Sequence, residues 1–398
     1  MADMQAGIGP FLGVFLQQRG WATGAIGLVM TLGGVAGMVV TAPAGALVDA
    51  TTRKRTYVIV SGLFTVLASS LIWVSQRFWV IAASQVATAI AGAAILPAVA
   101  GITLGIARQR GFNRQNGRNQ AFNHAGNMIG AGLSGFLGWK FGFIAIFWLA
   151  AVFGLLSVAA VLLIPAKAID NQAARGFEKD GDSAGKAEGW KVLFECKPLL
   201  VLAAALGLFH LGNAAMLPLF GMAVAGGHKG DPAVVVSTTI VVAQAVMILA
   251  SLVAMRLAEK RGYWLVLLIT FMALPIRGVV AASAIHSWGV YPVQILDGVG
   301  AGLQSVAVPG LVARILSGTG RVNVGQGAVM TVQGLGAALS PALGGAIAQV
   351  VGYRIAFISL GGFALGSLLL WVMFRSLLAP ACANPQDHAA PAAPAAAV

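Results

Sequence analysis

Uninterrupted apolar runs of helical length dominate this chain. Twelve follow one another, at about residues 4–17, 25–48, 56–75, 78–107, 119–138, 139–164, 198–224, 232–256, 263–284, 288–315, 326–351 and 353–378. A bilayer takes about 20 residues of helix to cross. The runs do not alternate with period two, as barrel strands do. Backbone groups in lipid must be satisfied within the segment, so the runs predict helices. The expected fold is all-α and polytopic: twelve transmembrane helices in two pseudo-symmetric six-helix bundles.

Composition supports a lipid-facing surface. Of 398 residues, 58% are hydrophobic and 9% charged, against about 25% charged in soluble domains. The net charge of +13 does not point to nucleic acid, because no compact basic run is interleaved with aromatics. The basic residues instead follow the loops. With the N-terminus in the cytoplasm, that side holds Arg53, Lys54, Arg55, Arg108, Arg110, Arg114 and Arg118 in the first half alone, and the 167–197 stretch adds further lysines. The opposite side holds Arg19, Arg77, Lys140, Lys229 and Arg354. This asymmetry predicts a multi-pass inner-membrane protein with both termini cytoplasmic, in contact with membrane lipid.

The domains expected are residues 1–165 (N-terminal bundle), 166–197 (cytoplasmic central loop), 198–378 (C-terminal bundle) and 379–398 (a disordered Ala/Pro-rich tail). Cys196 and Cys382 fall in the loop and the tail, where neither a disulfide nor a metal site is expected. The halves repeat in the same orientation. Gln85, Gly101, Ile106 and Gly111 match Gln294, Gly310, Ile315 and Gly320; Gly130-Ala131-Gly132-Leu133-Ser134 matches Gly336-Ala337-Ala338-Leu339-Ser340. Such parallel repeats are related by an axis along the membrane normal. Pro10-Phe11-Leu12-Gly13 aligns with Pro218-Leu219-Phe220-Gly221, which makes the first helix short at its N-terminal end. Either Met1 is an internal methionine, which would put Asp3 mid-helix, or the helix starts part-way into the membrane. After Gly138 the first half reads about eight residues short of the second.

Between the second and third runs lies Gly45-Ala46-Leu47-Val48-Asp49-Ala50-Thr51-Thr52-Arg53-Lys54-Arg55. This resembles the loop signature of the major facilitator superfamily, Gly-x-Leu-x-Asp-x-x-Gly-Arg-Lys/Arg, with Thr52 in place of the usual glycine. The resemblance implies a gating role for Gly45, Asp49, Arg53, Lys54 and Arg55. On physical grounds the three cations are expected to meet the anionic leaflet, and Asp49 to seek a cation or a helix N-terminus. The second-half counterpart has Met255 where Asp49 would stand. Phe209 to Pro218 and Leu296 to Gly302 look like segments of bacterial permeases.

Ionisable groups inside spanning helices are costly, so each is a site candidate. Asp297 lies deep in a Gly-rich run and could carry a proton or hold a cation beside His210; alternatively it forms a structural pair with Arg277. Asn213 follows His210 by one turn. His124, Asn127, Gln85, Gln244, Gln294 and Gln304 could line a cavity or bridge helices. Asp3 joins the set if it lies mid-helix. Pro10, Pro97, Pro218, Pro275, Pro309 and Pro341 mark expected kinks. No Walker loop, metal-ligand spacing or catalytic set is present, so neither an enzyme, a metal nor a cofactor is expected. The reading is a monomeric secondary transporter that moves a small-molecule substrate by alternating access. Proton-coupled efflux comes first and uptake second; a receptor or membrane-embedded enzyme is the rival class.

Overall fold

The computed structural model describes residues 9–171, 174, 195–227, 231–316 and 322–383. The first half comprises α1 (Gly9–Gln18), α2 (Thr23–Ala50), α3 (Lys54–Val74), α4 (Phe78–Ala93), α5 (Ile95–Phe141) and α6 (Phe143–Leu162). The second comprises α7 (Lys197–Asn213), α8 (Met216–Gly226), α9 (Pro232–Arg261), α10 (Tyr263–Ser283), α11 (Val290–Ile315), α12 (Val322–Val351) and α13 (Tyr353–Met373), followed by the short α14 (Arg375–Cys382). Ten stretches among the described residues are long and apolar enough to span a membrane. The ten-residue α1 and the latter part of α5 stand where the remaining two of the expected twelve helices lie. Leu67, Trp79, Phe122 and Val350 are among the large apolar side chains left on the outside, a surface that only lipid covers well. The chain is a multi-pass α-helical membrane protein.

The structure departs from the sequence reading at several places. The loop expected at 108–118 is helical, because α5 runs unbroken for 47 residues. The seventh run is two helices, α7 and α8. Pro218 has no N–H, and its ring clashes with the carbonyl four residues back, that of Ala214, so the helix breaks there. The N–H of Ala215 at the break donates to Ser340 Oγ at 2.9 Å. The tail boundary expected at 379 falls inside α14; residues 384–398 lie outside the described residues, as do most of 166–197. The start of that linker packs under α5: Ile169 and Ala174 are buried, and the Asp170 N–H donates to the Gly105 carbonyl at 3.0 Å.

Single glycines make three of the one-residue helix connections. Gly142 (φ 77°), Gly262 (φ 73°) and Gly352 (φ 90°) each stand alone between two helices, in the left-handed region that a Cβ disfavours. Gly142 and Gly352 occupy matching places in the two halves. Counted to those hairpins from Gly130 and Gly336, the first half is short by one helical turn, not by the eight residues expected.

Two helix pairs join the halves, α2 with α12 and α5 with α9, and α1 packs on α8. The joints are close because small residues face one another. A Cβ on Gly27 would collide with the Pro341 carbonyl, one on Gly135 with the Ser237 hydroxyl, and one on Gly345 with the Thr23 carbonyl. Such contacts gather towards the end of the molecule that holds Gln17, Gly24 and Tyr353, called here the Gln17 end. Gln17 Nε2 donates to Tyr353 Oη at 2.8 Å, the Gly24 N–H to Gln349 Oε1 at 2.9 Å, and the Ala342 N–H to Thr31 Oγ1 at 2.9 Å.

Candidate functional site

The break between α7 and α8 places Asn213 at the last residue of α7, facing α10 and α11. There Arg277, 1% exposed, extends its guanidinium into a cluster of acceptors. Nη1 donates to Asn213 Oδ1 at 2.6 Å and to Asp297 Oδ1 at 2.7 Å; Nη2 donates to Gln294 Oε1 at 3.4 Å. A charge in the membrane is tolerable when paired and hydrogen-bonded, as here. Asp297 and Gln294 lie three residues apart on α11 and share its face. The pairing of Asp297 with Arg277, one of two readings open from sequence, is therefore formed.

Asp297 is 16% exposed at its side chain, and its exposure opens on a cavity of about 250 Å³ between the halves. Phe11 of α1, Asn127 and Ser134 of α5, Gln244 and Met247 of α9 and Asp297 of α11 line it. At about 1.5 Å of rise per residue these groups lie roughly 10–20 Å from the Gln17 end, near mid-depth. Arg277 is not part of the lining. Asp297 Oδ2, the Asn127 amide and the Ser134 hydroxyl take no hydrogen bond among the described residues. Three polar groups thus stand open to whatever enters an otherwise apolar space.

Two histidines flank this centre. His210, one turn before Asn213, bonds Gln304 and not Asp297: its Nε2 is 3.0 Å from Gln304 Oε1 and 3.4 Å from Gln333 Nε2. A single ring nitrogen serves one partner at a time, donating to Gln304 when it carries the proton and accepting from Gln333 when bare. His124 Nδ1 lies 2.7 Å from Gln244 Oε1, which ties α5 to α9 beside the cavity, across the two halves.

The remaining candidates lie elsewhere. Gln85 is half-buried on α4, where Gly33 of α2 packs against it; it does not reach the cavity. Asp3, and the surroundings of Gly45 and of the Asp49 side chain, fall outside the described residues. Arg53 is exposed, but Lys54 and Arg55 do not simply face the leaflet. Lys54 is 1% exposed and donates to the carbonyls of Val48 and Thr51 at 2.8 and 3.0 Å. Arg55 donates to the carbonyls of Val161 and Leu162 at 3.3 and 2.8 Å. The last carbonyls of a helix have no intrahelical partner and carry the negative end of its dipole, so they capture these cations. Both contacts stay within the first half. The sequence reading left Ser134 and Gln333 out of the candidate set. Their signal was the repeat: Gln333 is the mate of Asn127, and Ser134 the mate of Ser340.

A family model described as Major Facilitator Superfamily matches residues 2–293. The chain belongs to that superfamily. Two Mycobacterium tuberculosis proteins, one from each of two strains and both described as uncharacterized MFS-type transporters, are 38% identical over 375 residues, covering 94% of this chain and 90% of theirs. Among solved structures, a mutant of the nucleoside transporter NupG superposes with a TM-score of 0.77 at 12% identity, covering 94% of this chain and 97% of that one. A bacterial homolog to the human lysosomal transporter Spinster, in an inward-facing and unoccupied conformation, gives 0.74 at 14% identity, covering 96% and 95%. At such identities the likeness is one of fold. Major facilitator proteins are transporters, not enzymes; two bundles rock about a central site and expose it alternately to either side.

Proposed function

We propose that this chain is a monomeric, proton-coupled exporter of a small solute in a bacterial inner membrane, with both termini cytoplasmic. Asp297 carries the reading. It is a carboxylate inside a spanning helix, held by Arg277 at 2.7 Å through one oxygen, and it lines a cavity between the halves. A group that can hold either a proton or a solute couples the two by making them compete. The basic loops support a cytoplasmic location for the Arg53 end. The Gln17 end, where hydrogen bonds and glycine contacts close the halves, then faces outward. The cavity in this conformation belongs to the cytoplasmic side, where an exporter collects its load. The likeness to an inward-facing Spinster homolog supports that orientation.

The test is reconstitution into proteoliposomes that contain a pH-sensitive dye, with panels of radiolabelled amines, nucleosides and sugars as probes. Solute and protons are expected to move in opposite directions. Asp297→Asn should abolish the proton movement and leave solute exchange. Gradient-driven accumulation that survives in Asp297→Asn would remove Asp297 from the coupling. Solute and protons moving in the same direction would establish the alternative, uptake.

A further inference from the structure

The cavity has a polarity of its own. Its charged wall is one carboxylate, Asp297, whose counter-ion Arg277 lies behind it, 1% exposed and outside the lining. The pair is neutral as a whole, but its negative end points inward. A solute group within 3 Å or so of Asp297 Oδ2 is nearer the anion than the cation, so the net field favours positive charge and hydrogen-bond donors. No described cation lines the cavity to receive an anion. The remaining polar groups, Asn127, Ser134 and Gln244, are neutral, and Phe11 and Met247 supply apolar walls. A space of 250 Å³ equals about eight waters of bulk liquid, enough for one ring and a short side arm.

We propose that the site selects small amines with an apolar body. The ammonium donates to Asp297 and to the Ser134 hydroxyl oxygen, which lie at the same depth, and the body extends along Phe11 and Met247 towards Asn127. Hydroxyl-bearing analogues bind more weakly, because they bring one donor and no charge. Carboxylates are rejected, because Asp297 repels them and Arg277 cannot reach them. The proposal rests on the transport reading only in taking the cavity as the place where solute sits.

The test uses three probes on one skeleton: phenethylamine, phenethyl alcohol and hydrocinnamate. Binding to the full-length protein in detergent is read as a dose-dependent rise in melting temperature, and flux is read separately in proteoliposomes. Wild type is expected to rank amine above alcohol, with no response to the acid. Asp297→Asn, which keeps a carbonyl for Arg277, should weaken the amine by about tenfold or more, as loss of a charged hydrogen-bond partner implies. Ser134→Ala should weaken amine and alcohol alike by roughly fivefold and preserve their order; this variant keeps the test decisive if Asp297→Asn fails to fold. Hydrocinnamate binding as well as the amine, an unchanged order in Asp297→Asn, or no response to any probe would each overturn the proposal. Amine binding of the expected rank without flux would leave the ligand class standing and remove the transport reading instead.

Discussion

Gln17 and Tyr353 meet across the two halves, the amide Nε2 donating to the phenol oxygen at 2.8 Å. The bond lies where alternating access must part the bundles, and it has to break for the cavity to open on that side. Tyr353→Phe removes the acceptor and leaves the ring. It should weaken closure at the Gln17 end by about 0.5–1.5 kcal/mol, a two- to tenfold shift in population. A cysteine at Ile240, which lines the cavity, reports the change. Its reaction with a membrane-impermeant maleimide added at the Gln17 face should speed up by that factor. An unchanged rate would show that the bond contributes nothing to closure.

The glycine seam makes a sharper prediction. A side chain on Gly27 meets the Pro341 carbonyl on the facing backbone, which cannot swing aside, whereas one on Gly126 meets nothing within 4 Å. Gly27→Val should insert normally but fail to close the Gln17 end, so transport is lost and the maleimide rate at Ile240→Cys rises. Gly126→Ala should behave as wild type in both assays. Transport retained by Gly27→Val would mean that α2 and α12 need not touch during the cycle.

Arg277 serves three acceptors on two other helices, and no other side chain replaces that fork. Arg277→Met leaves Asp297 charged and unpaired in the membrane. This should cost about 3–5 kcal/mol, read as reduced thermal stability in detergent. Adding Asp297→Asn should recover much of the loss, so the double-mutant cycle shows strong coupling. Additive losses would mean that the pair, though formed, does not hold α10 to α11.

Cys382 gives a chemical reading of the C-terminal helix. It is buried at the end of α14, and burial pushes its thiol up to about 12 while nearby Arg314 pulls it back. Arg314 also accounts for the docking, since its Nη1 donates to the carbonyls of Cys382 and Ala383 at 3.2 and 2.5 Å. Alkylation needs the thiolate, so at pH 8 iodoacetamide should label Cys196 and spare Cys382, as read by peptide mass spectrometry. Arg314→Ala should release α14 and bring Cys382 labelling up towards that of Cys196. Equal labelling of both cysteines in the wild type would show that α14 does not stay docked.

The sequence disclosed what depends on periodicity and cost. Apolar runs must become helices in lipid, so the bundle was legible without any homologue. Asp297 and Arg277 stood out because a charge is expensive in a span, and the same expense drove them together. What was hidden depends on relations between helices. The break before Pro218 puts Asn213 under Arg277, but a proline alone does not say which side chain its break will aim. Lys54 looks like a lipid-facing charge in a basic loop; the nearby end of α2, with its orphan carbonyls, helps to turn it inward. Gln85 matches Gln294 in the repeat, yet neither lines the cavity. Gln294 is held by Arg277, and among the described residues no cation stands beside Gln85.

The pairing of Arg277 with Asp297 also bears on electrical behaviour. Moving one elementary charge through the whole membrane field is worth about 2.3 kcal/mol per 100 mV. The two side chains belong to the same bundle and lie 2.7 Å apart, so they travel together and their opposite charges cancel. In its ionised form the pair contributes almost nothing to voltage dependence when the empty carrier swings from one face to the other. Under the role proposed for Asp297, any sensitivity to membrane potential then arises from the load bound there.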